Sequence, residues 1–216
     1  EAAGLRPLLP RELPPNDGAS KGGFWSKLPA ATGLALIDQS KQNGSLTPKS
    51  YQNVSFRGVN GGWIHCGSTL SAWGTHLSSE EYEPDAKTRQ GFSAATGTDD
   101  GTDINSFSKY YFGDATRANP YHYGLLPEIS IDRAGKATVV KHYATGRFAR
   151  EMMEMAADHR TGIGGDDGAN TGLFMFVADS EKNLSAGTLY AAKATQTAAA
   201  NGGTLALKWI KLGRST

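Results

Sequence analysis

Cys66 is the only cysteine in a chain of 216 residues, and it stands at the head of "CGSTLSAWGTHLSSEE", which closes on Glu80 and Glu81. A lone thiol has two ordinary fates. It is a small buried hydrophobe, the commonest setting of free cysteine, or it is a ligand. The nearby acids favour the second. A thiolate among carboxylates is a softer donor set than calcium alone prefers, and it suits a transition metal. Successive residues of a strand point to opposite faces, so at most one of Glu80 and Glu81 enters a given site while the strand continues.

Further acids occur downstream. Asp166 and Asp167 lie in "GIGGDDGANTG". Hard oxygen ligands on a flexible glycine loop suit calcium, and the same composition also builds an ordinary β-turn. Glu151 closes "GRFARE". There it either complements the dipole at the start of a helix or turns inward as a ligand. Asp99, Asp100, Asp103 and Asn105 cluster in "TDDGTDINSF". They lack the spacing of an EF-hand loop and read as a solvated loop. His65, His142 and His159 show no paired metal-ligand spacing, and neither a P-loop nor a G-x-S-x-G nucleophile motif is present.

These residues need elements to hold them. "TGLALIDQS" (32–40) reads as a strand, "KQNGS" as a turn at Asn43-Gly44, and "KSYQNVSFRG" (49–58) as the partner strand. "STLSAWGTHLSSEE" reads as two short strands about a Trp-Gly turn. Residues 83–119 read as a long polar loop. "YGLLPEISID" and "ATVVKHY" flank "RAGK", a hairpin-length turn. Phe148, Met152, Met155 and Ala156 recur at helical spacing and predict a helix over 147–157. Three strands follow in "GLFMFVAD", "GTLYAAKAT" and "TLALKWIKL". The fold class expected is mainly β, in antiparallel sheets of a barrel, sandwich or propeller. Residues 1–30 read as a proline-rich extended segment and 31–216 as the β-rich domain.

Composition narrows the partners. Lys and Arg number 22 against 21 Asp and Glu, so the basic excess of a nucleic-acid binder is missing. No apolar run approaches the roughly 18 residues of a membrane-spanning helix. One cysteine excludes an intramolecular disulfide.

Three segments together resemble the PhoX-type alkaline phosphatases. "CGSTLSAWGTHLSSEE" is similar to that family's signature of a cysteine, a Trp-Gly-Thr turn and paired glutamates. "YGLLPEISID", followed at a distance by "KHYATGRFARE", is similar to its Tyr-Gly and Gly-Arg-Phe-x-x-Glu motifs. "GGDDGANTGLFMFVAD", running into "GTLYAAKA", is similar to its Gly-Asp-Asp turn and the strands after it. The resemblance spans roughly residues 60–193.

It implies part of a β-propeller, a periplasmic or extracellular location, and hydrolysis of phosphate esters at a cluster of iron and calcium. Cys66 would then be the thiolate ligand of iron. Glu151 and one of Glu80 and Glu81 would supply carboxylates, and Asp166 or Asp167 would lie near the metals. The family's chains are longer, so the rest of a polypeptide, or other subunits, would complete the propeller. The alternative is a non-catalytic β-rich subunit, structural or cofactor-holding, that keeps the family scaffold within a larger complex.

Overall fold

Antiparallel pairing organises the chain. The structure, a computed structural model, describes residues 35–42, 45–81, 83–84, 86, 99–168, 171–200 and 203–216, and of 35–53 and 99–103 only the backbone. The expectations for residues 1–30 and for the Asn43-Gly44 turn lie outside the described residues.

β1 (Ala35–Gln42) and β2 (Ser45–Asn53) form a two-stranded ladder with a register shift between Asp38 and Gln39. A four-stranded sheet follows in the order β3 (Thr69–Leu70), β4 (His76–Leu77), β5 (Leu126–Ile131) and β6 (Ala137–His142). A five-stranded sheet runs through β7 (Glu154–Met155), β8 (Thr161–Gly165), β9 (Leu173–Ser180), β10 (Asn183–Ala198) and β11 (Thr204–Ser215), each beside the next. The fold is mainly β.

The turns follow local chemistry. Gly74 closes the β3–β4 hairpin at φ 84°, a left-handed conformation that a side chain resists. In the β5–β6 turn, Asp132 Oδ1 accepts the backbone N–H groups of Ala134 and Lys136, each at 2.9 Å. These bonds satisfy donors that the ladder cannot reach.

The two larger sheets share one core. Leu77 and Leu126 from the four-stranded sheet pack with Phe176, Ala178 and Leu184 from the five-stranded sheet, and Met153 and Ala144 fill the space between. Leu126 and Ile129 lie on opposite faces of β5, and Ile129 packs the other side of the sheet with Val54 and Phe56.

Two expectations are corrected here. The stretch expected as a structureless loop contains the one α-helix among the described residues, α1 (Asp99–Phe112). Ile104, Phe107 and Tyr111 recur at helical spacing, and the first two are fully buried against Trp63 and Tyr123. Gly113, at φ 78°, ends the helix with a bond from its N–H to the Lys109 carbonyl. The polar composition of the region hid this apolar stripe.

The helix expected over 147–157 is instead extended chain. Phe148, Ala149 and Arg150 are all buried in succession, whereas Met152 is 45% exposed. A surface helix buries one stripe and does not bury three consecutive residues. The backbone groups pair with the turn after β8: the Asp167 N–H donates to the Ala149 carbonyl at 2.8 Å, and Arg150 bridges Asp166.

Candidate metal centre

Ligand atoms of Cys66, Glu81 and Glu151 all lie within 4.8 Å of one another. They come from three separate segments. Cys66 sits on the irregular stretch before β3, Glu81 follows β4, and Glu151 belongs to the extended segment that precedes β7. Glu81 is buried, whereas Cys66 and Glu151 are exposed. The cluster therefore has a buried floor and an open mouth.

Backbone contacts fix this convergence. The Glu81 N–H donates to the Ile64 carbonyl at 2.9 Å and ties the β4 extension to the cysteine segment. Ser79 Oγ donates to the Gly67 carbonyl at 2.9 Å and accepts the Cys66 N–H at 3.3 Å. Thr69 Oγ1 donates to the Met153 carbonyl at 2.6 Å. A Cβ on Gly67 would stand 2.7 Å from the Glu151 carbonyl oxygen. Glycine at 67 is thus what lets the two segments touch, because real Cβ atoms do not approach so closely.

Like charge accumulates here. Loss of water around the Cys66 thiol pushes its pKa up to about 11, helped by a hydrogen bond to Glu81 and by the charges of Glu81 and Glu151. Burial raises the Glu81 carboxyl above its ordinary range. Its hydrogen bond to Cys66 works against that rise, whereas a hydrogen bond to Asp167 and the charges of Glu151 and Asp167 add to it. Asp167 thereby joins the cluster as the neighbour of Glu81.

The remaining acids go elsewhere. Glu80 is fully buried on the opposite side of the chain. One of its oxygens lies 2.6 Å from Lys141 Nζ and accepts the Trp63 N–H at 2.9 Å, and the other accepts the Leu125 N–H at 3.2 Å. Burial presses the Glu80 carboxyl up and the Lys141 ammonium down, and each counters the other's shift. Asp166 Oδ1 accepts the Ala149 N–H at 2.9 Å, so its side chain braces the segment that carries Glu151.

The Trp-Gly-Thr turn has a separate structural task, one that its composition did not reveal. Trp73 Nε1 donates to Glu128 Oε1 at 2.7 Å, and Thr75 Oγ1 donates to the same oxygen at 2.5 Å. His142 Nε2 lies 2.6 Å from the other oxygen. One carboxylate thus locks the β3–β4 hairpin to β5 and β6. His65 places Nδ1 2.9 Å from the Ser79 carbonyl, and burial pushes its imidazole down to about 3, so the ring is neutral.

One thiol and two carboxylates spaced to share one ion form a mixed soft and hard donor set. It fits a transition metal, with Asp167 as the hydrogen-bonded neighbour of Glu81. Bringing a cation to the cluster also relieves the repulsion among these groups.

A family model described as alkaline phosphatase PhoX matches residues 31–216. The chain is also similar to a solved structure, Pseudomonas fluorescens PhoX in complex with vanadate, a transition state analogue, at TM-score 0.56 and 20% identity. The similarity covers 83% of this chain and 40% of that one, so the matched part spans less than half the length of that protein. No curated protein matches.

Proposed function

The chain belongs to the alkaline phosphatase PhoX family, and from that premise we propose that it holds iron, accompanied by calcium, at Cys66, Glu81 and Glu151 and serves in the hydrolysis of phosphate esters. The observation that carries this reading is the convergence of those three ligand atoms within 4.8 Å. They come from segments that are far apart in sequence.

Each residue has a distinct task. Cys66 supplies the soft donor. Glu81 supplies a carboxylate from the buried side and Glu151 one from the open side, where an ester reaches the site. Asp167 orients the Glu81 carboxyl through their hydrogen bond. Glu80 is a positioning residue. Its ion pair with Lys141 fixes the face to which Glu81 must turn. Cations bound here would polarise phosphoryl oxygens and offset the charge of the transition state. The meandering four- and five-stranded sheets serve as blades of a propeller that further polypeptide completes. The protein works in the periplasm or outside the cell.

The test pairs metal content with turnover. The purified protein is expected to carry iron and calcium in stoichiometric amounts and to hydrolyse p-nitrophenyl phosphate, with both iron and turnover lost in Cys66→Ala. A folded protein that binds neither metal and turns over no ester would overturn the reading in favour of a non-catalytic subunit.

A further inference from the structure

The β10–β11 hairpin outruns its own sheet. β9 pairs with β10 only from Asn183 to Ala191, whereas β11 stays paired with β10 as far as Ala198. Beyond Ala191 the hairpin is a two-stranded ribbon. The outer edge of β11 has no strand beside it among the described residues. Such ribbons are marginal alone, and an open edge is a template for another strand.

Beyond Ala191 the register sorts the ribbon's side chains into two unlike faces, whereas nearer the sheet Ile210, 41% exposed, shares the Lys208 face and Lys211 shares the Trp209 face. Trp209 is opposite Ala192, and Leu207 is opposite Ala194. Leu205 shares that face, and Leu205 and Leu207 are 57% and 44% exposed. On the other face Lys193 is directly opposite Lys208. Like charges at such a cross-strand pair are destabilising, and neither lysine has a carboxylate partner among the described residues. From Asn183 to Thr216 the chain has four basic residues and no acidic one. Arg214 alone is matched, by Asp179 at 2.5 Å.

We propose that the free edge of β11 accepts an extended segment of another polypeptide in which acidic and apolar residues alternate. A strand added there sends successive side chains to opposite faces. Its acids would fall beside Lys208, with Lys193 one strand further in on the same face, and its apolar residues would cover Leu205, Leu207 and Trp209. The backbone supplies the affinity, and the two faces supply the choice of sequence. A second copy of this chain fits badly, because β11 carries Lys208, Lys211 and Arg214 and no carboxylate to set against them.

The probe is a short fluorescent peptide of alternating glutamate and valine, titrated into the intact protein and followed by anisotropy. Saturable binding is expected. It should weaken at least about tenfold in Lys193→Glu/Lys208→Glu, and that variant should instead favour a second peptide of alternating lysine and valine. Lys193→Gln/Lys208→Gln should lie between. N-methylation of alternate peptide nitrogens, which removes edge hydrogen bonds, should abolish binding. Circular dichroism checks that each variant keeps its fold. Absence of saturable binding would mean that the lysines merely guard an edge, and would overturn the proposal. Binding indifferent to charge reversal or to N-methylation would also overturn it. So would a concentration-dependent dimer that Leu207→Asp disperses, which would make the occupant a second copy.

Discussion

Glu80 and Glu81 are neighbours in the chain and part company in space. Glu80 points into the interior, 2.6 Å from Lys141 Nζ, while Glu81 faces Cys66 and Glu151. The alternation of extended chain thus turns one Glu-Glu pair into an anchor and a member of the Cys66–Glu81–Glu151 cluster. The two roles call for different experiments.

Lys141→Met leaves the Glu80 carboxylate buried without its cation. Breaking such a pair from one side costs about 3–5 kcal/mol. Urea unfolding should show that loss. Adding Glu80→Gln, which removes the charge and keeps an acceptor for the backbone, should recover part of it. Equal stability of Lys141→Met and the parent protein would mean that the pair does not anchor this strand.

Gly67→Ala tests the close approach that joins two halves of the site. The new methyl would meet the Glu151 carbonyl oxygen at 2.7 Å, so the cysteine segment must move away. Cobalt(II), added as a spectroscopic stand-in for iron, should bind about tenfold more weakly, for a cost of about 1.4 kcal/mol. The sulfur-to-cobalt charge-transfer band should fall with it. An unchanged titration would place the Gly67 contact outside the site.

Metal uptake should depend on pH with a known sign. The free thiol of Cys66 titrates at about 11, and a metal binds only the thiolate. Below that value each metal bound expels the proton, so apparent affinity should rise about tenfold per pH unit. Cys66→Ser should flatten the slope. A flat slope in the parent protein would show that sulfur is not a ligand.

Stability in acid should be limited partly at Glu128. Burial opposes its ionisation, but the hydrogen bonds from His142, Thr75 and Trp73 outweigh burial and hold the carboxyl below 4.5. A depressed carboxyl stabilises the fold above its unfolded value, and that contribution disappears as pH falls through the folded value. Denaturation measured downward from pH 4.5 should therefore be less steep in Glu128→Gln than in the parent. The same slope in both would remove Glu128 from the acid response.

The sequence carried the strand pattern clearly where alternation and turn residues agreed, as at β5–β6 and β9–β11. The rule that adjacent strand residues diverge was conditional on the strand continuing; β4 ends at Leu77, and Glu80 and Glu81 separate on the extended chain beyond it. The rule did not say which faced inward, because that depends on Lys141, whose side chain arrives from β6. Two readings failed. Ile104, Phe107 and Tyr111 made a helical stripe too sparse to stand out in polar surroundings. The apolar residues of 148–156 gave a helical period although their backbone bonds lie with the turn after β8. Apolar spacing alone did not report burial at 148–156, where Met152 is exposed and Ala149 and Arg150 are buried, because backbone pairing with a distant turn and not a helix sets which side chains face inward.

The central claim is that one cation bonds to Cys66, Glu81 and Glu151 together. Anomalous diffraction at the iron edge, from crystals of the protein prepared with iron, tests it most directly. The account predicts a peak at bonding distance from Cys66 Sγ and from a carboxylate oxygen of each glutamate. A protonated Cys66 with no metal beside it, while iron sits elsewhere or nowhere in ordered crystals, would contradict the account.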